Sequence, residues 1–221
     1  ASRWGDEPAM ARWLVPDLPI VCGRDRVRAA ELVARDRPNA VMVMDDGMQH
    51  LRLSPSTILL VDPLAPPNAL PLPAGPYREP RWNRSRADLV LPGHFEISRS
   101  ETQFLDPSAR ETTPPTEPVT VLTAIGRPGI LMKSLKDSGV RVERSILLKD
   151  HDPMTAGNLF EEVPRGRLVL VTAKDWVKLR NRPDLAHVRV CVANYQARVE
   201  PEADFRRWLD QRIDENRSQR G

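Results

Sequence analysis

The chain has 221 residues, of which 40% are hydrophobic and 29% charged, with a formal net charge of +3 at pH 7. This composition is typical of a globular protein and excludes a wholly disordered chain. The 33 basic residues are nearly balanced by 30 acidic ones, and they form no basic tract of the kind that binds nucleic acid. No run of about 18 apolar residues is present, which argues against a membrane-spanning helix within this sequence. Cys22 and Cys191 lie in apolar runs without a CxxC motif, which predicts that both are buried free thiols.

Short apolar runs alternate with helical patterns along the chain. Strands are predicted at Ile20–Cys22, Ala40–Met44, Thr57–Val61, Asp88–Leu91, Val119–Ile125, Val140–Leu148, Leu168–Thr172 and Val188–Val192. Helices are predicted at Arg26–Arg37, Gly129–Ser138, Thr155–Val163, Lys174–Arg180 and Glu202–Ile213. This alternation favours an α/β fold with a mostly parallel sheet flanked by helices.

Two stretches interrupt the alternation. Residues 63–80 contain seven prolines and predict an ordered loop without a long helix. Residues 98–118 are polar and rich in proline and threonine, which is typical of a linker. We therefore expect one domain at residues 1–97 and a smaller α/β lobe at residues 119–221.

The apolar run at Ala40–Met44 is followed directly by two carboxylates, Asp45 and Asp46, and a glycine. Ligands of open α/β sheets bind beyond the carboxyl ends of the strands, and carboxylates there are suited to holding Mg²⁺ on a nucleotide phosphate. An Asp-Gly pair is also a strong turn signal, so spacing alone leaves both interpretations open. Gln49 and His50 favour the metal site slightly, because a simple turn does not require them.

Two further segments carry arginine at restrained positions. In Leu72–Pro80, prolines stiffen a loop that contains Arg78 and Glu79, and the Arg78 guanidinium is suited to bidentate binding of a phosphate. Arg24 and Arg26 flank a predicted junction between a strand and a helix, a position suited to an anionic ligand. Taken alone, the first segment is better explained as a surface loop with an Arg–Glu pair, and the second is at least as well explained as an exposed helix start.

Two motifs follow predicted strands in the second half of the chain. The motif Asp150-His-Asp-Pro153 flanks His151 with carboxylates, which is common in acid–base sites and also in capped turns. The motif Thr172-Ala-Lys-Asp175 puts Lys174 where it meets either a phosphate or solvent. The sequence contains neither a G-x-x-x-x-G-K-[ST] loop nor a G-x-G-x-x-G loop, so the acidic strand end is half of a nucleotide site.

Together, the order and spacing of these segments resemble one family. The segments are Gly5-Asp-Glu-Pro8, Val21-Cys-Gly-Arg-Asp-Arg26, Asp45-Asp-Gly-Met-Gln-His50, Leu51-Arg-Leu53, Leu72-Pro-Ala-Gly-Pro-Tyr-Arg-Glu-Pro80, Asp150-His-Asp-Pro153 and Thr172-Ala-Lys-Asp175. Over nearly the whole chain they resemble tetraacyldisaccharide 4′-kinase, the lipid A 4′-kinase. The Asp-Asp-Gly-x-Gln-His and Pro-Ala-Gly-Pro-x-Arg-Glu-Pro motifs are highly characteristic of that family as a pair.

The resemblance implies a P-loop NTPase-like fold in which residues 1–97 are the remainder of a nucleotide and substrate domain. It implies a kinase that transfers the γ-phosphate of ATP to the 4′-hydroxyl of a tetraacyldisaccharide 1-phosphate, which forms lipid IVA. It implies Mg²⁺ as cofactor, ATP as co-substrate and a glycolipid as the other substrate. It also implies peripheral attachment to the cytoplasmic face of the bacterial inner membrane.

The resemblance implies roles for individual residues as well. Asp6 matches the family's candidate catalytic base, and His151 matches the histidine thought to act with it. Asp45 and Asp46 match the acidic pair that binds Mg²⁺. Polar positions that line the family's site are matched by Glu7, Arg24, Arg26, His50, Arg78 and Glu79. Because loops that follow parallel strands converge on one edge of a sheet, we expect Asp6 and His151 to lie close together, each in a loop.

The sequence departs from the family pattern in three respects. The segment with the membrane-associating helix and Walker A loop is not found in it, so we expect an incomplete form of the kinase. Asp152 stands where the family usually has a second histidine, and Ala173 stands where it usually has a glutamate. Two other functions stay open: a metal-dependent glycosyltransferase that uses the acidic pair to hold a nucleotide sugar, and a non-catalytic lipid-binding remnant.

Overall fold

The structure, a computed structural model, describes residues 5–218 of the chain. Its helices and strands are, in chain order, α1 (Asp6–Leu14), α2 (Arg26–Asp36), β1 (Leu59–Val61), β2 (Leu89–Leu91), β3 (Glu96–Arg99), β4 (Gln103–Leu105), β5 (Glu111–Thr112), β6 (Val119–Thr123), α3 (Pro128–Asp137), β7 (Val142–Leu147), β8 (Leu168–Thr172), α4 (Ala173–Leu179), β9 (Arg189–Asn194), β10 (Ala197–Glu200) and α5 (Glu202–Ser218). Short 3₁₀ helices lie at Arg81–Arg86 and Pro183–His187. The described residues form two compact units, one from residues 5–22 and 100–196 and the other from residues 23–99 and 197–218.

The first unit is built on a six-stranded sheet with the order β5-β4-β9-β8-β6-β7. Strands β9, β8, β6 and β7 run parallel, and β4 and β5 extend the sheet in antiparallel fashion. Strands β6, β8 and β9 are rich in valine and leucine, as expected for parallel strands covered on both faces, and every residue of β6 is buried. This unit confirms the α/β fold with a mostly parallel sheet that the sequence predicts.

Helices α1 and α4 pack together on the sheet of the first unit. Trp13 of α1 and Trp176 of α4 belong to one buried cluster, and their rings meet edge to face with centroids 6.5 Å apart. The Trp13 indole also donates a hydrogen bond of 3.0 Å to the carbonyl of Pro107. A second buried cluster packs Leu131 and Leu135 of α3 against the sheet. The pairing of α1 with α4 fixes where the first residues of α1 lie.

The second unit has two small sheets. Strand β1 pairs with β2 in parallel, and β3 pairs with β10 in antiparallel fashion. Its core is formed by Leu89, Leu91 and Phe95, against which Phe205 and Trp208 of α5 pack. Edge-to-face contact between Phe95 and Phe205, with centroids 5.4 Å apart, ties the C-terminal helix to this unit.

Three predicted elements are wrong. Residues 20–22 and 40–44 form no strand, and residues 155–163 form turns instead of a helix. An apolar run becomes a strand only where a neighbouring strand pairs with it, and within the described residues no strand pairs with 40–44. Its side chains are accordingly exposed, Val43 to 93%. Asp45 and Asp46 therefore follow an exposed extended segment, not a buried strand.

The predicted linker and domain limits also differ from the structure. Residues 98–118 contain β4 and β5, and β4 pairs with β9 in the main sheet. Phe104 and Leu105 are buried there, so a strand of only three residues ties this polar stretch to the core. The two units are each discontinuous in sequence, unlike the division at residues 1–97 and 119–221.

Asp6 begins a helix, not a loop as predicted. The pattern was missed because α1 has only nine residues and contains a proline. Met10, Trp13 and Leu14 are spaced for one face of this helix, and all three contact the buried cluster. Among residues 5–218, no helix is both long and apolar enough to cross a membrane.

Candidate functional site

Chain segments that follow three parallel strands meet at one edge of the first unit's sheet. Strands β8, β6 and β7 are neighbours in that order, so their carboxyl ends lie side by side, where ligands of such sheets bind. The start of α1 reaches the same place. There the Oδ2 atom of Asp6 lies 3.7 Å from His151 Nδ1, 3.8 Å from Lys174 Nζ and 3.7 Å from Lys178 Nζ.

Asp6 is held by the geometry of a helix start. Gly5 is the N-cap with a φ of 92°, a left-handed conformation that favours glycine. Asp6 and Glu7 supply negative charge in the first turn, which the helix dipole favours. Asp6 Oδ1 accepts a hydrogen bond of 3.1 Å from the Glu7 amide. The other carboxylate oxygen, Oδ2, faces the three nitrogen atoms.

His151 occupies a sharp turn after β7. Its φ is 60°, a left-handed backbone conformation that is uncommon outside glycine and is found often at functional sites. Its amide donates a hydrogen bond of 3.1 Å to the carbonyl of Ala124. The imidazole is 64% exposed, with Nε2 at 4.0 Å from Asp150 Oδ1. The prediction that Asp6 and His151 lie close together is confirmed.

Two buried polar residues of α4 complete this cluster, and sequence reasoning gave neither a role. Asp175 is fully buried and accepts hydrogen bonds from the Thr123 and Thr172 hydroxyls at 2.6 and 2.7 Å. Lys178 lies 3.6 Å from Asp175 Oδ1. One signal in the sequence could have identified this pair. Asp175 and Lys178 are three positions apart, a spacing that puts a carboxylate and an ammonium group on one face of a helix. Lys174, which the sequence did single out, contacts Glu7 Oε1 at 3.2 Å.

The second unit joins the acidic segment to the proline-rich loop. Asp46 forms an ion pair with Arg78, and Gln49 Nε2 donates a hydrogen bond of 3.4 Å to Glu79 Oε1. Asp46 has a φ of 53°, again a left-handed conformation. Asp45 and Asp46 are both exposed. Two motifs that the sequence presents separately thus form one polar surface of this unit.

Asp62 fixes the proline-rich loop and was not predicted. It follows β1 directly and is buried, and its carboxylate accepts hydrogen bonds from Tyr77 Oη at 2.7 Å and Arg81 Nε at 2.9 Å. The hydrogen bond to Asp62 raises the pKa of the Tyr77 hydroxyl. A carboxylate directly after an apolar run was the signal that could have identified it, and the same sequence pattern precedes Asp45.

The other predicted residues have simpler surroundings. Arg24 is exposed before α2, and Arg26 begins that helix and donates to a backbone carbonyl of the preceding turn. His50 is half-buried. Glu79 accepts hydrogen bonds of 2.7 and 2.6 Å from Arg86 Nη2. Arg24, Arg26 and Arg78 therefore supply positive charge on the surface of the second unit.

The chemistry of Asp45 and Asp46 fits a magnesium ion. Mg²⁺ prefers carboxylate oxygens, uses only one or two of them and keeps several water molecules. Among residues 5–218 there is no group of three or more His, Cys, Asp or Glu side chains arranged to hold a metal. The exposure of both carboxylates leaves room for the remaining waters.

The first unit has a mostly parallel sheet, and polar side chains lie beyond the carboxyl ends of its strands. Both features are typical of α/β folds that bind a ligand at that edge. The family model for tetraacyldisaccharide-1-P 4′-kinase, LpxK, matches residues 1–214 of this sequence. The chain therefore belongs to the LpxK family.

Curated relatives agree with this assignment, and a solved structure shows the same fold. Tetraacyldisaccharide 4′-kinase of Shewanella halifaxensis is 31% identical over 82% of this chain, and that of Leptothrix cholodnii is 33% identical over 87%. The chain spans 58% and 61% of their respective lengths. A crystal structure of LpxK from Aquifex aeolicus in complex with ATP matches with a TM-score of 0.79 at 24% identity, and the match covers 95% of this chain and 69% of that one. This likeness shows that the folds are the same.

Proposed function

We propose that the protein carrying this chain is a kinase that transfers the γ-phosphate of ATP to the 4′-hydroxyl of a tetraacyldisaccharide 1-phosphate. The carrying observation is the approach of Asp6 and His151 to 3.7 Å in a member of the LpxK family. Relatives named tetraacyldisaccharide 4′-kinase support the lipid substrate. The ATP complex of the Aquifex aeolicus protein supports the phosphate donor.

In the proposed reaction, Asp6 accepts the proton of the 4′-hydroxyl while the sugar oxygen attacks the γ-phosphorus. The new bond joins that oxygen to phosphorus, and the bond from phosphorus to the bridging oxygen of ADP breaks. Such transfer depends mainly on positioning and charge stabilisation. A positioned base contributes about 10²- to 10⁴-fold. His151 orients the Asp6 carboxylate, and its contact at 3.7 Å shortens to a hydrogen bond when substrate is bound, as is common at active sites.

Other charged side chains have proposed roles. Asp45 and Asp46 would hold Mg²⁺, which when bound would neutralise charge on phosphate oxygens. The ion pair with Arg78 orients the Asp46 carboxylate. Arg24, Arg26 and Arg78 neutralise phosphate charge, and Glu7, His50 and Glu79 line the binding surfaces.

The acyl chains of the proposed substrate require a membrane surface. We assign the protein to the cytoplasmic face of the bacterial inner membrane as a peripheral protein, because ATP is supplied on that side. The glycolipid is then its principal partner.

The test compares Asp6→Ala, His151→Ala and the double variant in the full-length protein that carries this sequence. Residues that act as a unit are not additive, so all three variants are expected to lose turnover by similar factors, about 10²-fold or more. Asp137→Ala and His187→Ala, at exposed positions of the same unit, are matched controls and are expected to retain the rate. Losses that multiply in the double variant, or single variants with normal turnover, contradict the assignment.

A further inference from the structure

Lys178 contacts both segments that carry the Asp6–His151 pair. Its side chain is only 7% exposed, and Nζ lies 3.7 Å from Asp6 Oδ2. Nζ also donates a hydrogen bond of 3.1 Å to the carbonyl of Asp152, the residue after His151. A single ammonium group therefore joins the first residue of α1 to the turn after β7.

The position of Lys178 is set by the buried carboxylate of Asp175. Asp175 Oδ1 lies 3.6 Å from Nζ and accepts a hydrogen bond of 3.2 Å from the Ala124 amide. The Thr123 and Thr172 hydroxyls bind the other oxygen. These partners anchor Asp175 to the ends of the buried strands β6 and β8, and Asp175 in turn fixes the lysine. Buried charges are stable only when paired and hydrogen-bonded in this way.

The Asp152 carbonyl accepts a hydrogen bond from Lys178 Nζ. The Asp6 and Asp175 carboxylates lie at ion-pair distance from the same nitrogen, 3.7 and 3.6 Å away, so two negative charges face this buried ammonium group. A lysine held in this manner is not available as a mobile phosphate ligand. Lys174 differs, because its side chain is 24% exposed and its nearest partner is the exposed Glu7.

We propose that Lys178 is a positioning residue, which sets the separation and orientation of the Asp6 carboxylate and the His151 imidazole. This inference rests on the proposed kinase function and extends it to a residue that does not touch substrate. Loss of the ammonium group frees the start of α1 from the turn after β7, so the pair spends less time in reactive geometry. Binding of ATP and lipid is unaffected.

The first test measures kinetics in the full-length protein. Lys178→Met, which keeps the side-chain length, is expected to lower kcat roughly tenfold or more and to leave KM for each substrate within about twofold, the pattern of a lost transition-state interaction. In the Asp6→Ala background, the same substitution is expected to cost less than about twofold. Lys178→Arg, which keeps the charge, is expected to recover part of the rate. Lys133→Met, at an exposed position of α3, is the matched control.

A second readout does not depend on activity. In NMR spectra of the full-length protein, Asp6→Ala is expected to shift the ring signals of His151, identified through a His151→Gln variant. In the Lys178→Met background that shift is expected to be much smaller, because the two side chains are no longer held together. Where Lys178→Met proves poorly folded by thermal unfolding, Lys178→Gln and Lys178→Arg supply the same comparison.

The outcomes separate the two claims. Normal kcat in Lys178→Met, a loss confined to KM, or fully multiplicative losses with Asp6→Ala overturn the positioning role and leave the kinase assignment intact. An unchanged His151 response in the Lys178→Met background overturns it independently. Normal turnover of Asp6→Ala overturns the proposed base and the role of Lys178 with it.

Discussion

His151 and Asp46 share a backbone feature that their sequence contexts do not reveal. Both adopt left-handed conformations, with φ values of 60° and 53°. Such conformations cost free energy and persist where surrounding contacts enforce them. At His151 these contacts include the hydrogen bond from its amide to Ala124, and at Asp46 they include the ion pair with Arg78. Two residues that the family resemblance singled out thus occupy strained positions.

Individual residues also show what sequence reasoning could find. The approach of Asp6 to His151 was predicted, but the reason given for it holds only for His151, which follows a parallel strand. Asp6 begins α1, and the packing of α1 on α4 brings it to the same edge of the sheet. The role of Asp175 was hidden, since its hydroxyl partners Thr123 and Thr172 come from different strands and only the folded sheet brings them together.

The two cysteines are expected to react very differently with thiol reagents. Burial raises the pKa of the Cys191 thiol to about 11, so almost no reactive thiolate forms at pH 8. Cys22 is only partly buried. In this chain a disulfide reagent at pH 8 is expected to modify Cys22 first and Cys191 only on unfolding.

A Cys22→Ser variant isolates the second thiol. Its native form is expected to show almost no reaction, and the denatured form one equivalent. Rapid modification of native Cys22→Ser contradicts the buried position of Cys191.

Among the elements, the long strands and helices were predictable and the short or unpaired ones were not. β6, β8 and β9 have continuous apolar runs, which are typical of parallel strands. β4 has three residues, and its pairing with β9 is a long-range contact that no local pattern encodes. Residues 40–44 show the converse, since an apolar pattern alone does not form a strand without a neighbour.

Residues 155–163 fail as a helix for a visible reason. The Arg182 side chain donates hydrogen bonds to the carbonyls of Met154 and Ala156 at 2.5 and 2.8 Å. The Met154 carbonyl lies just before the predicted helix, and the Ala156 carbonyl lies in its first turn. Arg182 also binds both carboxylate oxygens of Asp184 at 2.9 and 2.5 Å. This arginine therefore holds the segment that follows His151 in its turn conformation.

Arg182 is expected to contribute stability that depends on pH. Its hydrogen bond lowers the pKa of Asp184 below the usual value, so the contribution is complete above about pH 4, where an unfolded aspartate is ionised. It is lost as the pH falls through the lowered pKa of folded Asp184. Arg182→Met is expected to lower the free energy of unfolding at pH 7 by about 1–2 kcal/mol, because backbone acceptors lose their donor.

Denaturant unfolding between pH 2 and pH 7 checks this expectation. The difference in the free energy of unfolding between wild type and Arg182→Met should become smaller towards pH 2. The control variant Arg180→Met, at an exposed position, should have the same free energy of unfolding as wild type at every pH. If this difference in the free energy of unfolding becomes larger as the pH falls, the pH dependence has the opposite sign and contradicts a stabilising ion pair between Arg182 and Asp184.

For the whole molecule, the sequence predicted the fold class and the family but not the arrangement of units. Each unit is assembled from two separated stretches of chain. Strand β10 pairs with β3, and Phe205 of α5 packs against Phe95. In both cases the partners are about 100 positions apart in the chain, and no local signal in the sequence marks such pairings. For the whole molecule, family membership is a stronger guide than local sequence patterns, because the LpxK family model matches residues 1–214 together.

Product analysis of the full-length protein tests the central claim most directly. With tetraacyldisaccharide 1-phosphate and Mg·ATP labelled at the γ-phosphate, we expect the label on the 4′-oxygen of the lipid and one ADP per lipid phosphorylated. Asp46→Ala is expected to lower this rate by at least about 10²-fold while the protein stays folded, because removing a group that stabilises transition-state charge has effects of this size and the exposed carboxylate adds nothing to the core. ATP hydrolysis without labelled lipid, a sugar transferred in place of phosphate, or normal turnover in Asp46→Ala contradicts the account.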